Sequence, residues 1–382
     1  MDRKNISSID LPGSFIEEEI EARGWSQVDL AYILGMSPQQ LSPILKGKHA
    51  ITSDMAVSLG AAFDMPAEFF ANLQKQYDLS IAKTPDPGVQ KRSLWQAAYP
   101  VREMIRRGWI EDSDPGLLEA QMLRFFERNH IDDVPIVGGE MATFAHAARK
   151  EGYAETTAEQ YAWLYRVRHI ARMIEAPKYS SKKLRSKLES IRSCMIDPEE
   201  IGAIPEILLT CGIRFVLVEA LSRSKIDGVC LWLGRQPVIG ISTRLDRLDN
   251  FCFVLRHEIE HVLQGHGKEA KYSPVDEFDS AASYDTKEGP VEERMANAAA
   301  VDFCISQPEF ESFLTRKGPY ISEQDVVGFA ARMEIHPAVV VGQVQHRLKK
   351  WNWLRKYLVK SRKHLERWKF VDGWGHVMAP PL

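Results

Sequence analysis

Residues 255–266, LRHEIEHVLQGH, place two histidines four positions apart, with a glutamate directly after the first. On an α-helix, residues with this spacing lie about 40° apart around the axis, so His257 and His261 project from one face. Two imidazoles in this arrangement can bind one tetrahedral Zn²⁺, and zinc peptidases use the glutamate of such a motif as a general base. The stretch therefore predicts a zinc site, with Glu258 as the catalytic residue.

The motif alone is also compatible with a pair of buried, hydrogen-bonded histidines, because histidine and glutamate are common in helices. The remaining positions of the helix are apolar, which indicates that the histidines are not on a freely solvated surface. A catalytic zinc needs a third protein ligand. Chemistry leaves several nearby candidates open: His266, Glu269, Asp276, Glu277, Glu292 and Glu293.

The composition of the 382-residue chain is that of an ordinary globular protein, with 45% hydrophobic and 26% charged residues and a net charge of −3. The length predicts two or three domains. The five cysteines show no CxxC spacing, which argues against a disulfide framework or a thiolate zinc site. No stretch has the signature of a signal peptide or a membrane helix. We therefore expect a cytoplasmic protein with no membrane partner.

Residues 12–76 contain the start and stop signals of five short helices. Three residues stand where an N-cap is expected: Ser26, Ser37 and Thr52. Ser37 is followed by Pro38 and, three positions on, by Gln40, which predicts a capping box. Gly35 separates SQVDLAYIL from SPQQLSPIL by a turn of a few residues, and two short helices joined in this way form a helix-turn-helix pattern.

This segment resembles the Xre-type helix-turn-helix domains of HigA-like antitoxins over about 65 residues. The resemblance is carried by Pro12-Gly13, GWSQVDLA (24–31), GMSPQQLSPILKGKHAIT (35–52) and MPAEFFANLQKQYDL (65–79). It implies a homodimer that binds operator DNA. The residues expected to contact DNA are Gln27, Ser37, Gln39, Gln40, Lys46 and Lys48.

Charge favours the alternative that this domain is a protein-contact module. Residues 1–80 contain six Lys/Arg and eleven Asp/Glu, and an acidic domain attracts phosphates poorly. The acidic residues are nevertheless concentrated in EEEIE (17–21), whereas residues 30–53 contain none. Pro43 lies inside the second, recognition helix and is expected to kink or shorten it.

Beyond this domain the sequence predicts an α+β, mainly α fold. Residues 213–220 (IRFVLVEA), 228–234 (GVCLWLG) and 237–242 (PVIGIS) have strand composition, and the turn at 234–236 predicts a small antiparallel sheet before the H-E-x-x-H helix. The predicted organisation is a helix-turn-helix domain (1–80), a linker (81–94), a helical middle region (95–200), a metallopeptidase domain (201–346) and a basic, aromatic C-terminal helix and tail (347–382).

The C-terminal stretch at 346–370 contains ten Lys/Arg and one Glu, interleaved with aromatic residues. Two interpretations are open, a surface for nucleic acid or an acidic partner and an amphipathic helix that packs its aromatic side chains against the domain. We favour packing, with the basic face outward.

Residues from about 205 to 346 resemble the ImmA/IrrE family of metallo-endopeptidases. The resemblance is carried by residues 211–266, by VEERMANAAAVDFCI (291–305) and by IHPAVVVGQVQHRL (335–348). It implies a zincin-like domain whose third ligand is the glutamate of an E-x-x-A-N/D helix, which here is Glu293 in ERMAN. Glu260 and Arg256 depart from the family pattern, and they either alter the site or pair with each other.

The two resemblances together imply a DNA-binding transcriptional regulator with a zinc-dependent endopeptidase domain. Such a protein would cleave a regulatory protein within a toxin–antitoxin or a stress or mobile-element regulatory system. The alternative is a HigA-like antitoxin and autorepressor that binds DNA and neutralises a cognate toxin, with a non-catalytic metal site.

Overall fold

The chain divides after Asp86 into two units, each of which is described by itself. The computed structural model describes residues 11–84, 86–112, 114–134, 156–268, 290–318 and 320–378. In these ranges the chain is mainly helical with one four-stranded sheet, which confirms the α+β, mainly α prediction. No helix among the described residues combines the length and the apolar character needed to cross a membrane.

The first unit contains the five predicted helices. They are α1 (Pro12–Ala22), α2 (Gln27–Ile33), α3 (Pro38–Leu45), α4 (Ser53–Phe63) and α5 (Ala67–Ile81). They enclose their own apolar core, in which Ile16, Leu30 and Leu59 are fully buried. At Gly13 a Cβ atom would lie 1.9 Å from the backbone oxygen of Leu45. Only glycine therefore allows α1 to pack so closely against the end of α3.

The helix starts in this unit follow the predicted caps. The Ser26 hydroxyl accepts a hydrogen bond from the Asp29 backbone N–H, and Thr52 does the same for Met55. Ser37 forms the predicted capping box with the residue three positions on. These local bonds fix where α2, α3 and α4 begin.

The second unit has twelve further α-helices and four strands in its described parts. Before the sheet lie α6 (Pro87–Ala98), α7 (Val101–Arg106), α8 (Pro115–Phe125), α9 (Ala158–Arg172), α10 (Ser181–Cys194) and α11 (Ile204–Thr210). The strands are β1 (Arg214–Val218), β2 (Gly228–Leu233), β3 (Gln236–Ile241) and β4 (Val371–Asp372). After β3 come α12 (Leu248–Gln264), α13 (Val291–Cys304), α14 (Gln307–Lys317), α15 (Glu323–Arg332), α16 (Pro337–Leu348) and α17 (Arg362–Leu365); single 3₁₀ turns occupy Ile131–Asp133, Glu200–Ala203 and Arg355–Tyr357.

Most of the predicted linker at 81–94 is helical. Helix α5 extends to Ile81, and α6 already begins at Pro87. A Pro-Gly pair here starts a helix rather than interrupting one, because proline is tolerated in the first turn, where its missing N–H has no intrahelical partner. The segment between the helices is therefore limited to residues 82–86.

The sheet is mixed, with the strand order β2-β3-β1-β4, so the prediction of an antiparallel sheet was wrong for β1. The predicted β2–β3 hairpin is antiparallel, with Leu233 opposite Gln236. Strand β1 runs parallel to both of its neighbours, β3 and β4. Strand composition gives no information about partners, and β4 is a two-residue strand more than 150 positions after β1 in the sequence.

Both faces of the sheet are buried. Phe215 and Leu217 of β1 face the core that contains α12, whereas the alternate residues Val216 and Val218 face the core that contains Trp163 of α9. Helices of the predicted middle region therefore share a hydrophobic core with the strands of the predicted peptidase domain. The two stretches belong to one compact unit.

The predicted C-terminal helix is replaced by short elements. Lys349 and Leu354 have positive φ angles of 54° and 49°, which end α16 and prevent a continuous helix. Packing against the core is confirmed for Trp353 and Tyr357, whereas Trp351 is exposed. Trp368 is buried and donates a hydrogen bond from Nε1 to the backbone oxygen of Phe215, at 3.0 Å.

Candidate metal centre and DNA-binding helices

Helix α12 carries the two histidines into the interior of the second unit. The apolar side chains around them anchor the helix on the sheet and on α13, and neither His257 nor His261 has any exposed surface. The two Nε2 atoms lie 2.9 Å apart. The four-residue spacing therefore produces the convergence of imidazoles that the sequence predicts.

Glu293, in the first turn of α13, completes a group of three. Its Oε2 atom lies 3.2 Å from the His257 Nε2, and its Oε1 atom lies 3.5 Å from the His261 Nε2. Ligand atoms at a tetrahedral zinc, with bonds of about 2.0–2.1 Å, are about 3.3 Å from one another. The two distances from Glu293 lie close to that value, and the 2.9 Å between the two Nε2 atoms is somewhat shorter. Within the described ranges this is the one group of three such residues close enough to hold a metal ion.

The negative charge of the Glu293 carboxylate favours the binding of a cation. Burial raises the pKa of this carboxyl, but hydrogen bonds and charge interactions with the two imidazoles outweigh burial and hold the pKa well below its ordinary value. Glu293 is thus a carboxylate at neutral pH, beside two ring nitrogens. One anionic oxygen and two imidazole nitrogens form a donor set that fits a zinc ion.

Glu258 is fully buried next to the two histidines, and the strand beside it has no side chain at that point. A Cβ atom on Gly228 would lie 2.4 Å from the Glu258 Oε1 and 2.8 Å from Val254 Cγ1. The missing side chain at the start of β2 therefore leaves the space that the carboxylate occupies. Sequence reasoning did not identify Gly228, because a glycine at a strand end has no distinctive local pattern.

In the first unit, α3 exposes part of the predicted DNA-contact set. Gln39, Lys46 and Lys48 are exposed, on the helix and directly after it. Ser37 and Gln40 are paired with each other, since the Gln40 Oε1 accepts the Ser37 backbone N–H at 2.9 Å. Exposed Gln27, at the start of α2, donates a hydrogen bond to Glu17 of α1 at 3.1 Å.

Both units match known families. The helix-turn-helix family model matches residues 16–70, and the model of the IrrE N-terminal-like domain, a peptidase family, matches residues 213–349. The HTH-type transcriptional regulator YddM of Escherichia coli (strain K12) is 30% identical over 86 residues, which are 22% of this chain and 92% of YddM. This chain belongs to the helix-turn-helix family and carries an IrrE N-terminal-like domain.

Two further relatives come from Dichelobacter nodosus. Virulence-associated protein I is 34% identical over 73 residues, or 19% of this chain and 68% of that protein. Virulence-associated protein A' is 36% identical over 87 residues, or 22% of this chain and 74% of that protein. The first unit is thus the DNA-binding domain of a helix-turn-helix regulator, and the second contains a metallopeptidase-like domain.

The two other candidate third ligands among the described residues, His266 and Glu292, do not join the group of three. The Nδ1 atom of His266 lies 2.9 Å from the His261 Nδ1. That nitrogen is on the opposite side of the imidazole from the Nε2 that faces His257 and Glu293. Glu292 is exposed beside Glu293. The remaining candidates lie outside the described residues: Glu269, Asp276 and Glu277.

Arg256 and Glu260, the two residues that depart from the IrrE-like family pattern, form an ion pair with each other. Arg256 donates from Nη2 to the Glu260 Oε2 at 2.7 Å, and its guanidinium stacks over the Phe303 ring. Burial raises the pKa of Glu260, but hydrogen bonds from Gln264 and Arg256 lower it below its ordinary value overall. The extra negative charge on the metal helix is therefore balanced within one helical turn.

Proposed function

We propose that this protein is a DNA-binding transcriptional regulator whose IrrE N-terminal-like domain is a zinc-dependent endopeptidase that cleaves a regulatory protein. The observation that supports this most directly is the convergence of the ligand atoms of His257, His261 and Glu293 to within 2.9–3.5 Å of one another, with Glu258 buried in the same helix. A purely structural metal site would have no need of an adjacent general base. The regulatory setting we propose is a toxin–antitoxin or a stress or mobile-element system.

Each residue of the proposed site has its own chemical role. His257, His261 and Glu293 would hold the zinc, which would act as a Lewis acid when bound. Glu258 takes the proton from the attacking water and returns it to the amine that leaves, as a carboxylate general base does. The pairing of Glu260 with Arg256 keeps a second buried carboxylate from competing for the cation.

The first unit would select the DNA to which the regulator binds. We propose that a homodimer binds an inverted repeat in operator DNA, with half-sites about one helical turn apart. Gln39 of α3 and Lys46, directly after it, would reach the base edges, and Gln27 and Lys48 would contact phosphates. The capping pair Ser37–Gln40 would hold the start of the recognition helix in place.

The experiment combines zinc analysis with one conservative variant. We expect about one zinc per wild-type chain and a sharp loss in the double variant His257→Ala/His261→Ala, because one remaining ligand holds a catalytic zinc poorly. Glu258→Gln should bind zinc and DNA normally yet fail to relieve repression in cells, since loss of a general base typically costs about 10²- to 10⁴-fold in rate. Equal metal content in the wild type and the double variant would refute the zinc site.

A second candidate is a HigA-like antitoxin and autorepressor that neutralises a toxin by binding, with a non-catalytic metal site. The observation in its favour is that the relatives are similar over 73–87 residues only, about the size of the first unit. In that case Glu258→Gln should repress the promoter and neutralise the toxin as well as the wild type does. The same variant therefore separates the two functions.

A further inference from the structure

We propose that His266 is a positioning residue that orients the imidazole of His261 for the metal, and that Trp232 of strand β2 holds His266 in place. This inference rests on the proposed zinc site. It assigns a role to a histidine outside the group of three and to a tryptophan on the neighbouring strand.

The contact between the two imidazoles determines the direction of the hydrogen bond. A neutral imidazole that binds a cation through Nε2 carries its proton on Nδ1. The His261 Nδ1 is therefore the donor, and the His266 Nδ1, at 2.9 Å, is the acceptor. Acceptors that receive the second N–H of a metal-binding histidine fix its tautomer and ring orientation.

The backbone of His266 is fixed from two sides. Gly265, with a φ angle of +75°, reverses the chain at the end of α12, so that the His266 N–H donates to the His261 backbone oxygen at 3.0 Å. The Trp232 Nε1–H donates to the His266 backbone oxygen at 2.8 Å. The Trp232 ring in turn packs edge-on against Tyr179. His266, which accepts the His261 N–H, is therefore held both by strand β2 and by the C-terminal end of α12.

The test measures zinc affinity in the full-length protein by competition with a chelator. His266→Leu removes the acceptor and should weaken zinc binding by about 10- to 100-fold. His266→Asn places an oxygen where Nδ1 was and should restore most of the affinity. Trp232→Phe keeps a ring but removes the donor, so we expect a smaller loss of about fivefold. Gln264→Leu is the matched control, because it removes a side-chain hydrogen bond to Glu260 at the same helix end without touching a ligand.

Thermal unfolding of the metal-free variants separates positioning from general destabilisation. The positioning role predicts that His266→Leu and His266→Asn unfold at similar temperatures although they differ in zinc affinity. Zinc binding by His266→Leu as tight as that of the wild type would overturn the proposal while leaving the zinc site intact. A wild type that binds no zinc would instead refute the proposed function.

Discussion

Gly228 begins strand β2 at the point where the strand passes the carboxylate of Glu258. The distance from a Cβ atom at this position to the Glu258 Oε1 would be 2.4 Å, well inside van der Waals contact. A methyl group here cannot coexist with the carboxylate in its present position, so one of the two must move. The identity of residue 228 is therefore coupled to the identity of residue 258, thirty positions later in the sequence.

We expect Gly228→Ala to lower the free energy of unfolding of the metal-free protein by about 1–3 kcal/mol, as overpacking a tight site does. Much of this loss should disappear in a Glu258→Ala background, where the carboxylate is absent, although the contact with Val254 Cγ1 remains. Urea unfolding of the four proteins gives the coupling energy, which should exceed about 0.5 kcal/mol.

Gly240→Ala is the matched control for this cycle. A Cβ atom at position 240 would lie 2.8 Å from Val167 Cγ1, so the substitution also overpacks the sheet but does so against an aliphatic side chain. Its effect should add to that of Glu258→Ala within about 0.5 kcal/mol. Strict additivity for Gly228→Ala as well would contradict the steric coupling.

Local contacts fix both ends of the short helix α3 and thereby determine which side chains it presents. Its start is fixed by the Ser37–Gln40 capping box. Pro43 has no N–H to donate to Gln39, and the helix ends two residues later at Leu45. The Pro43 carbonyl then accepts the Lys48 backbone N–H at 2.8 Å, which fixes the turn that carries this lysine. Gln39 is thus presented on a helix and Lys48 on an ordered turn.

The two side chains should therefore affect DNA binding differently. Gln39→Ala should relax sequence preference at one position of each half-site, because it removes a contact to base edges. Lys48→Ala should weaken all sequences alike and reduce the salt dependence by about one phosphate contact. Binding of the full-length protein to its own upstream DNA, measured at several salt concentrations, tests both.

Controls for the DNA experiment are available on α5. Gln76→Ala and Lys75→Ala remove the same residue types from exposed positions outside α2 and α3, and they should leave both sequence preference and salt dependence unchanged. If the full chain ignores upstream DNA even at low salt, the first unit is a protein-contact module, as its acidic composition suggested.

Features that depend on neighbouring residues could be predicted from the sequence, and features that join distant residues could not. The capping boxes and the convergence of His257 and His261 follow from spacings of three and four residues. The contacts of Gly228 with Glu258 and of Trp232 with His266 depend on how β2 lies against α12. No periodicity encodes such a contact, and the same is true of the parallel pairing of β1 with β4.

For the second unit as a whole, one buried carboxylate connects parts that are far apart in the sequence. Asp372 of β4 accepts hydrogen bonds from the Arg166 Nε of α9 at 2.8 Å and from the Trp109 Nε1 at 2.7 Å. The Arg166 and Asp372 side chains are only 1% and 2% exposed. The C-terminal strand is thus joined to α9 and to Trp109, which precede the sheet in the same unit.

Asp372→Ala should therefore lower the free energy of unfolding by about 3–5 kcal/mol, because it leaves the Arg166 guanidinium buried without its counter-charge. The double variant Arg166→Met/Asp372→Ala should recover part of this loss, since no buried charge remains. Glu311→Ala is the control: its partner Arg347 and Glu311 itself are 58% and 52% exposed, and such surface pairs contribute less than about 1 kcal/mol. Urea unfolding of the full-length proteins measures all three. A loss for Asp372→Ala no larger than that for Glu311→Ala would mean that β4 is not required to hold the second unit together.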